Sequence, residues 1–202
     1  MKLIILAGMP ATGKSTVARR LQEAFGYPIL EKDAIKEALF DTLGFTCYDE
    51  KRRLDVAANA VLLNVMEAMI QADRSLIVDN NFDQTSGEKL SVLLAKHDVQ
   101  CLTVFLEGDP RVLYERYVER DSKGLRHLGH AMQTHYPPAE GESTEFHMSW
   151  EGFCWRFLDL GMDKLHWGGR QIRLDATYPE KIDMDALIRE IREALSPEQK
   201  SG

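Results

Sequence analysis

The sequence predicts an α/β fold in which helices cover both faces of a five-stranded parallel sheet. Apolar runs rich in β-branched residues alternate along the 202 residues with longer segments of helical periodicity. Such alternation is typical of crossover units, because parallel strands need a connection that returns to the same end of the sheet. The chain shows no repeat and no linker, so we expect a single domain over residues 1–202 with a lid insertion at about 121–150.

Each predicted element follows from a local pattern. The apolar runs predict strands at residues 3–7, 28–31, 75–79, 101–106 and 171–174. Amphipathic or continuously apolar segments predict helices at residues 14–25, 34–43, 49–72, 86–97, 110–121, 150–167 and 180–195. Asp33 stands where it can cap a helix, Pro110 suits a first turn, and Gly26 and Gly44 suit helix ends. The glycines, prolines and histidines of residues 122–150 predict an irregular segment.

The loop after the first predicted strand carries the strongest motif. It fits G-x-x-x-x-G-K-[ST], the phosphate-binding P-loop pattern. Glycines let the backbone turn successive N–H groups toward one anion, and the following helix adds the positive end of its dipole. The predicted nucleotide contacts are Gly8, Met9, Pro10, Ala11, Thr12, Gly13, Lys14, Ser15 and Thr16. In this context the motif predicts a three-layer P-loop NTPase fold that binds a nucleoside triphosphate.

Two residues of this loop have separate chemical tasks. Lys14 can bring a mobile cation to the β- and γ-phosphates, which makes it a candidate catalytic residue. The hydroxyl of Ser15 can ligate Mg²⁺, as the serine or threonine of this motif does. The loop therefore predicts that the triphosphate binds together with a magnesium ion.

Acidic residues follow the ends of the other predicted strands. In an open parallel sheet, ligands bind beyond the carboxyl ends of the strands. The acidic positions at that edge are Asp33, Asp79, Glu107 with Asp109, and Asp175. We therefore expect carboxylates from several strands to point toward the triphosphate site.

Asp33 is the predicted catalytic carboxylate. Phosphoryl transfer needs a group that orients the acceptor hydroxyl and takes its proton, and Asp33 lies one crossover after Lys14. It also fits the plainer role of a helix cap. Asp79 ends an apolar strand, as a Walker-B carboxylate does, and is predicted to hold Mg²⁺ or position the acceptor, with Asn81 lining the acceptor pocket. A simple turn signal is the alternative for both.

Three arginines are candidates for contact with the nucleotide. Arg116 and Arg120 share one face of a predicted helix and can pack on adenine or reach phosphates. A solvated helix face shared with Glu115 and Glu119 explains them equally well. Arg126 follows in the irregular segment, where a closing lid can bring it onto the charge of the transferred phosphoryl group. Arg126 is therefore the third predicted catalytic residue.

Histidines in the lid invite a metal-site interpretation that the spacing does not favour. His127, His130 and His135 have no cysteine or carboxylate at a ligand-like spacing, and a closed zinc site needs about four ligands. Contacts within the lid or with substrate are the favoured interpretation. The aromatic residues of segment 150–167 are predicted to fill core.

Composition narrows the classes of partner. A formal charge of −7 argues against a broad nucleic-acid-binding face. The cysteines are odd in number and form no C-x-x-C pair, which suits a reducing cytoplasm. The most apolar stretch, residues 54–70, is interrupted by Asn59, Asn64 and Glu67 and is too polar to span a bilayer. We expect a soluble cytoplasmic protein with a small-molecule partner, no membrane and no nucleic acid.

Six segments together resemble a known family. They are GMPATGKST, KDAIKEAL, LIVDNNF, FLEGDPRVLYERYVER, RHLGH and LDAT. The chain resembles the small P-loop kinases that phosphorylate hydroxyl groups, among them gluconate and shikimate kinases, chloramphenicol phosphotransferase, zeta toxins and polynucleotide kinase. The resemblance implies an ATP site at the glycine loop, an acceptor-side carboxylate at Asp33, lid arginines at Arg120 and Arg126, and an adenine site flanked by Asp175, Ala176 and Thr177.

The motifs and the resemblance together predict a kinase that uses ATP and Mg²⁺ to phosphorylate a hydroxyl of a small molecule. A polynucleotide 5′-hydroxyl kinase is an alternative that the acidic charge weakens. A nucleotide-controlled binding protein, including a toxin restrained by an antitoxin, is a second alternative. The acceptor, the choice of ATP over GTP and the oligomeric state are left open by the sequence.

Overall fold

The computed structural model of the chain describes residues 1–97, 99–142, 148–159, 167 and 169–196. Its strands are β1 (Lys2–Gly8), β2 (Ile29–Glu31), β3 (Leu76–Asp79), β4 (Gln100–Glu107) and β5 (Arg170–Asp175). Its helices are α1 (Lys14–Phe25), α2 (Lys32–Leu43), α3 (Tyr48–Gln71), α4 (Gln84–Lys96), α5 (Pro110–Ser122), α6 (Leu128–Ala131), α7 (Trp150–Cys154) and α8 (Met184–Ala194). A π-helical turn, Trp155–Asp159, continues α7, and a 3₁₀ turn, Pro179–Lys181, precedes α8.

The five described strands are all parallel and pair in the order β2-β3-β1-β4-β5. β1 is the central strand, so the loop that follows it emerges between the carboxyl ends of β3 and β4. The chain crosses from β3 on one side of β1 to β4 on the other, so the strand order reverses direction at β1. Ligands in open α/β sheets bind at such a switch point. The predicted fold class, with its five parallel strands, is confirmed.

Alternating side chains along β1 explain the three layers. Ile4 and Leu6 pack on the face covered by α1 and α8, while Leu3 and Ile5 pack on the face covered by α3 and α4. Because both faces are covered, the strand is continuously apolar rather than alternating with polar residues. The two cores hold the strand ends in place and so position every group at the carboxyl edge.

The start of α2 differs from the prediction in a way that matters for Asp33. β2 runs directly into α2, which begins at Lys32, and Glu31 is the N-cap residue without a side-chain cap. The prediction that Asp33 caps this helix is therefore wrong, because Asp33 lies inside the first turn. Its carboxylate is not used to satisfy the helix backbone.

The final helix also starts later than predicted. α8 begins at Met184, because the side chain of Asp183 accepts the Ala186 N–H and caps the helix there. The preceding residues form the 3₁₀ turn instead. The start predicted at residue 180 is therefore wrong by one turn.

The region predicted to be irregular contains the short helix α6, which packs on α2. Gly129 allows this close approach, since a β-carbon there would lie 2.3 Å from the ring of Phe40. Further on, Tyr136 pairs with Phe45 in an antiparallel bridge, and the Tyr136–Pro137 peptide bond is cis. Residues 143–147 of the predicted lid and 160–166 of the predicted helix 150–167 lie outside the described residues.

α3 is long and apolar enough to cross a membrane by length and composition alone. Its residues Leu62, Met66 and Ile70 nevertheless pack against the sheet, in the same cluster as Leu3 and Ile5 of β1. The helix is therefore one of the layers of the α/β fold. Residence in the cytoplasm stays a prediction.

Candidate active site

The loop between β1 and α1 has the backbone shape that its glycines predict. Gly8 has φ +133° and Gly13 has φ +82°, both in the region that favours glycine. A β-carbon at Gly8 would lie 2.0 Å from the carbonyl oxygen of Leu106 at the end of β4. The Met9 N–H donates to that same oxygen at 2.9 Å. The loop is thus seated directly on β4, where only a glycine fits.

Lys14 folds back over the loop that precedes it. Its Nζ donates to the carbonyl oxygens of Gly8 at 3.2 Å and Met9 at 3.0 Å. Burial lowers the pKa of Lys14, while the charges of Asp79 and Asp33 oppose that shift. The ammonium group therefore lies at the loop and within electrostatic reach of both predicted carboxylates, an arrangement suited to a polyphosphate.

Asp79 lies beside Ser15 and Lys14, as predicted for a magnesium-binding carboxylate. It pairs in register with Leu6 of β1 and Glu31 of β2, and it lies near enough to the Ser15 hydroxyl for that group to lower its pKa. Burial raises the pKa of Asp79 to about 6, with further raising by Asp33 and Glu31 and opposition from Lys14. Burial disfavours the charged form of this carboxylate, and a bound divalent cation would offset that penalty. A carboxylate next to a hydroxyl is a typical site for such a cation.

Asn81 binds the glycine loop itself. Its Oδ1 accepts the Gly8 N–H at 2.7 Å, and its Nδ2 donates to the Gly8 oxygen at 2.9 Å. The side chain thereby pairs with the backbone at the end of β1 as a neighbouring strand would. The predicted contact of Asn81 with the acceptor stays a prediction, whereas its support of the loop was missed by the sequence analysis.

Asp33 lies in the first turn of α2 among basic side chains. Partial burial raises its pKa, but the interaction with His130 and the positive charges of Lys32, Lys36 and Arg126 outweigh that effect and lower it. Within the described residues, the Asp33 carboxylate accepts no hydrogen bond. It is therefore ionised at neutral pH and free to accept a hydrogen bond from a ligand.

Two lysines beside Asp33 are tied to α3. Lys32 and Lys36 both contact Oδ1 of Asp55, each at 2.6 Å. Burial alone would raise the pKa of Asp55, but the two ammonium groups lower it to about 2. This cluster joins the start of α2 to α3 beside Asp33. The sequence analysis missed it, because Asp55 reads as one polar residue in a long apolar helix.

The lid arginines meet at the end of α5. Arg120 and Arg126 both contact the Tyr117 ring, with guanidinium carbons 5.3 and 5.4 Å from its centroid. Both also contact Asp121, in each case at 3.4 Å. The charge of Arg120 acts on Lys14, and that of Arg126 acts on Asp33. The structure thus brings the two predicted lid arginines to the two sides of the candidate site.

Arg116 has a different set of partners. Its guanidinium donates to the carbonyl oxygens of Ala176, at 3.2 Å, and Thr177. The Thr177 hydroxyl in turn accepts the Asp109 N–H at 2.8 Å. Arg116 therefore fixes the loop after β5, next to the 3₁₀ turn whose Pro179 lies against Gly13. Direct contact of Arg116, Ala176 or Thr177 with adenine stays a prediction.

The remaining acidic residues of the edge have structural partners. Glu107 pairs with Arg173, Asp109 caps α5, and Asp175 accepts the Thr177 N–H. The expectation that all the edge carboxylates point at the triphosphate is therefore wrong, because these three are used in packing the β4 and β5 ends. Asp33 and Asp79 are the carboxylates that act on Lys14.

Each lid histidine pairs with a carboxylate. His127 contacts Asp41 at 3.0 Å, His130 contacts Glu37 at 2.9 Å, and His135 contacts Glu142 at 2.7 Å. Burial and nearby cations lower the pKa of His130 to about 3. Among the described residues, no three ligand-type side chains group as a metal centre. The histidines of α6 join the lid to α2.

Comparison with known proteins assigns the chain. A family model described as an AAA domain (AAA_33) matches residues 3–138. The chain belongs to this family. A protein from Chloroflexus aurantiacus J-10-fl named "putative kinase" is 30% identical, with a TM-score of 0.79 over 96% of this chain and 98% of that one. The prediction of a small P-loop phosphotransferase is thereby confirmed.

Two more distant solved structures share the fold of this AAA-family chain. A sugar kinase from Janibacter sp. HTCC2649 is 20% identical, with a TM-score of 0.57 over 96% of this chain and 94% of that one. A gluconokinase from Sinorhizobium meliloti 1021 is 17% identical, with a TM-score of 0.51 over 96% and 90%. Among curated proteins, none matches the chain significantly.

Proposed function

We propose that this protein is an ATP- and Mg²⁺-dependent kinase that transfers the γ-phosphate to a hydroxyl of a small molecule. One observation carries the proposal: Lys14 of the glycine loop lies within electrostatic reach of two carboxylates, Asp79 and Asp33, that have different surroundings. The Ser15 hydroxyl acts on Asp79, whereas Asp33 has no hydrogen-bond donor among the described residues. One carboxylate thus suits a cation and the other a hydroxyl.

On the nucleotide side, the loop amides and Lys14 would hold the phosphates. Ser15 and Asp79 would hold Mg²⁺, which supplies charge neutralisation for the phosphate oxygens when it is bound. The pKa of Asp79, about 6, leaves it mostly ionised at neutral pH and able to serve as a ligand. Asn81 would keep the loop in the required shape through its pair of bonds to Gly8.

On the acceptor side, Asp33 would accept the hydrogen bond of the attacking hydroxyl. The hydroxyl oxygen then forms the new P–O bond, its proton passes to Asp33, and the bond to the β-phosphate oxygen breaks to release ADP. Arg120 and Arg126 would balance the charge on the transferred group. Lys32, Lys36 and Asp55 would form the wall that the acceptor contacts.

The surroundings of Asp33 support a small polar acceptor. The Lys32–Lys36–Asp55 cluster ties α2 to α3, and the lid helix α6 packs against α2 through Gly129 and Phe40. Charged side chains therefore lie near the Asp33 carboxylate, which suits a hydroxylated compound with further polar groups.

An acceptor screen tests the proposal. ADP release would be measured with ATP and Mg²⁺ against sugars, sugar acids, nucleosides, aminoglycosides, chloramphenicol and nucleic acid ends. We expect one class of small molecules to raise ADP release well above the rate without acceptor, and phosphate to be found on that compound. Lys14→Ala serves as the blank and Lys89→Ala, an exposed lysine on α4, as the matched control. Stimulation by nucleic acid ends alone would contradict the small-molecule acceptor.

A further inference from the structure

We propose that Tyr117 and Asp121 are positioning residues that hold Arg120 and Arg126 in the geometry required for phosphoryl transfer. Neither residue was expected to matter from the sequence. The inference rests on the proposed function, since it concerns how the two arginines reach the transferred group. The end of α5 would then fix the positions of both arginine side chains.

The contacts of Arg126 carry the first part of the inference. Its Nη1 donates to the Tyr117 hydroxyl at 2.7 Å and lies 3.4 Å from Oδ2 of Asp121. Its guanidinium carbon also lies 5.4 Å from the Tyr117 ring centroid, within the range of a cation–π contact. A tyrosine that is almost fully buried thus offers both its ring and its hydroxyl to one arginine.

Arg120 uses the same two residues. Its Nε and Nη2 each lie 3.4 Å from Oδ1 of Asp121, and its guanidinium carbon lies 5.3 Å from the Tyr117 ring centroid. Asp121 therefore gives one carboxylate oxygen to each arginine. Its side chain is only 5% exposed, so the carboxylate is screened little by solvent. It offsets the repulsion between two guanidinium groups held close together.

The local sequence builds this cluster. Tyr117, Arg120 and Asp121 are neighbours on one helix face, at spacings of three and four residues. The chain then turns at Gly124, with φ +63°, where its N–H donates to the backbone carbonyl oxygen of Asp121 at 3.1 Å. This turn lets Arg126 reach back over the ring from beyond the helix end.

The two arginines act on different halves of the site. The charge of Arg120 acts on Lys14 of the nucleotide loop, and that of Arg126 acts on Asp33 on the proposed acceptor side. A shared anchor fixes their separation, so both can meet the transferred group without reorganisation. Loss of the anchor would leave the arginines present but mobile.

The test uses ADP, Mg²⁺ and aluminium fluoride, which together mimic the transition state of phosphoryl transfer. Calorimetry compares the affinity of the protein for this mimic with its affinity for ADP and Mg²⁺ alone. We expect Tyr117→Phe to weaken the mimic roughly tenfold, the equivalent of one hydrogen bond to a charged group. Asp121→Asn is expected to weaken it at least as much. The affinity for ADP should change less than twofold in both variants.

Tyr114→Phe is the matched control, because Tyr114 lies on the same helix and its hydroxyl donates to the Met148 oxygen instead of an arginine. It should leave both affinities unchanged. In an Arg126→Gln background, Tyr117→Phe should have no further effect, which a merely structural role of the tyrosine would not produce. Thermal melts of each variant verify that the fold is kept.

The outcomes separate this inference from the proposed function. If the wild-type protein binds the mimic no tighter than ADP, both fail. A second outcome is that the wild type binds the mimic tighter than ADP and that Arg126→Gln loses this gain in affinity. If Tyr117→Phe and Asp121→Asn then keep the gain, the positioning role alone is overturned. Equal loss of ADP and mimic affinity in both variants would also overturn it, since the effect would then be general.

Discussion

The nucleotide side and the proposed acceptor side of the candidate site are built in different ways. On the nucleotide side, backbone groups define the shape: Gly8 sits on the Leu106 carbonyl, Asn81 binds Gly8, and Arg116 binds two carbonyl oxygens. On the acceptor side, side chains from distant parts of the chain define it. Lys36 meets Asp55 from α3, and the lid meets α2 through paired rings and ions.

This difference predicts which positions tolerate substitution. A loop whose shape is set by backbone groups tolerates few residues at its glycines, and the same loop can be used by any protein that binds the same phosphates. An acceptor side that is formed by side chains can be changed one residue at a time without disturbing the sheet. The comparison therefore implies that substitutions on the nucleotide side damage the fold or all binding, whereas those on the acceptor side change the lid and acceptor use selectively.

The largest expected effect on stability is at Gly8. Gly8→Ala places a β-carbon 2.0 Å from the Leu106 oxygen at a positive φ, so β1 and β4 must separate. We expect the free energy of unfolding to fall by about 3 kcal/mol or more, measured by urea denaturation.

Gly26→Ala is the control for that change, because Gly26 also has a positive φ but no atom within 4 Å of the added carbon. It should cost about 1 kcal/mol from backbone strain alone. Equal losses in the two variants would show that the contact with β4 does not restrict Gly8.

A smaller, local effect is expected at Lys51, a buried lysine of α3. Its Nζ donates to the backbone oxygens of His130, at 2.9 Å, and Met132. Lys51→Met leaves both lid carbonyls without this donor, at a cost of about 1–3 kcal/mol for the lid. Amide hydrogen exchange should speed up in residues 128–132 while the sheet is unchanged.

Lys96→Met is the companion variant, since Lys96 pairs with Glu67 at the surface and touches no lid residue. It should leave exchange in the lid as it is in the wild type. Faster exchange across β1 and β4 in Lys51→Met would contradict the separation of the two sides.

The pH dependence of magnesium-nucleotide binding gives the smallest expected effect. The pKa of Asp79 is about 6, raised by burial, so its ligating carboxylate form dominates above pH 6 and is lost as the pH falls below it. We expect Mg²⁺-ADP affinity to fall by about tenfold per pH unit below pH 6.

Asp79→Asn isolates this titration, because ADP titrates identically with both proteins. The variant should bind Mg²⁺-ADP weakly at every pH, and the difference from the wild type should shrink below pH 6. The same difference at pH 5 and pH 8 would remove Asp79 from magnesium binding.

The two sides also differ in how far the sequence predicts them. The glycine loop is local: Gly8 to Ser15 are consecutive, and the strand before and helix after them are strongly patterned. The apolar run before Asp79 likewise predicted a carboxylate at a strand end. No such local signal marks Asp55 or Lys51, because their partners lie far away along the chain. Tyr117 is not marked either, because it lies on a helix with many charged residues.

Capping was a further source of error. Asp33 stands ahead of its predicted helix and Asp183 inside the predicted helix 180–195, yet only Asp183 caps the helix that forms. β2 enters α2 without a turn, so the helix begins one residue before Asp33 and not after it. Local sequence alone does not distinguish a cap from a carboxylate of the first turn.

Asp33 provides the most direct test of the account. With the acceptor found by the screen, Asp33→Asn should lower the rate of phosphoryl transfer by roughly 10²–10⁴-fold and change Mg²⁺-ADP affinity less than twofold. Asp49→Asn, an exposed aspartate in the first turn of α3, should match the wild type. Transfer by Asp33→Asn at the wild-type rate would contradict the claim that this carboxylate activates the acceptor beside the glycine loop.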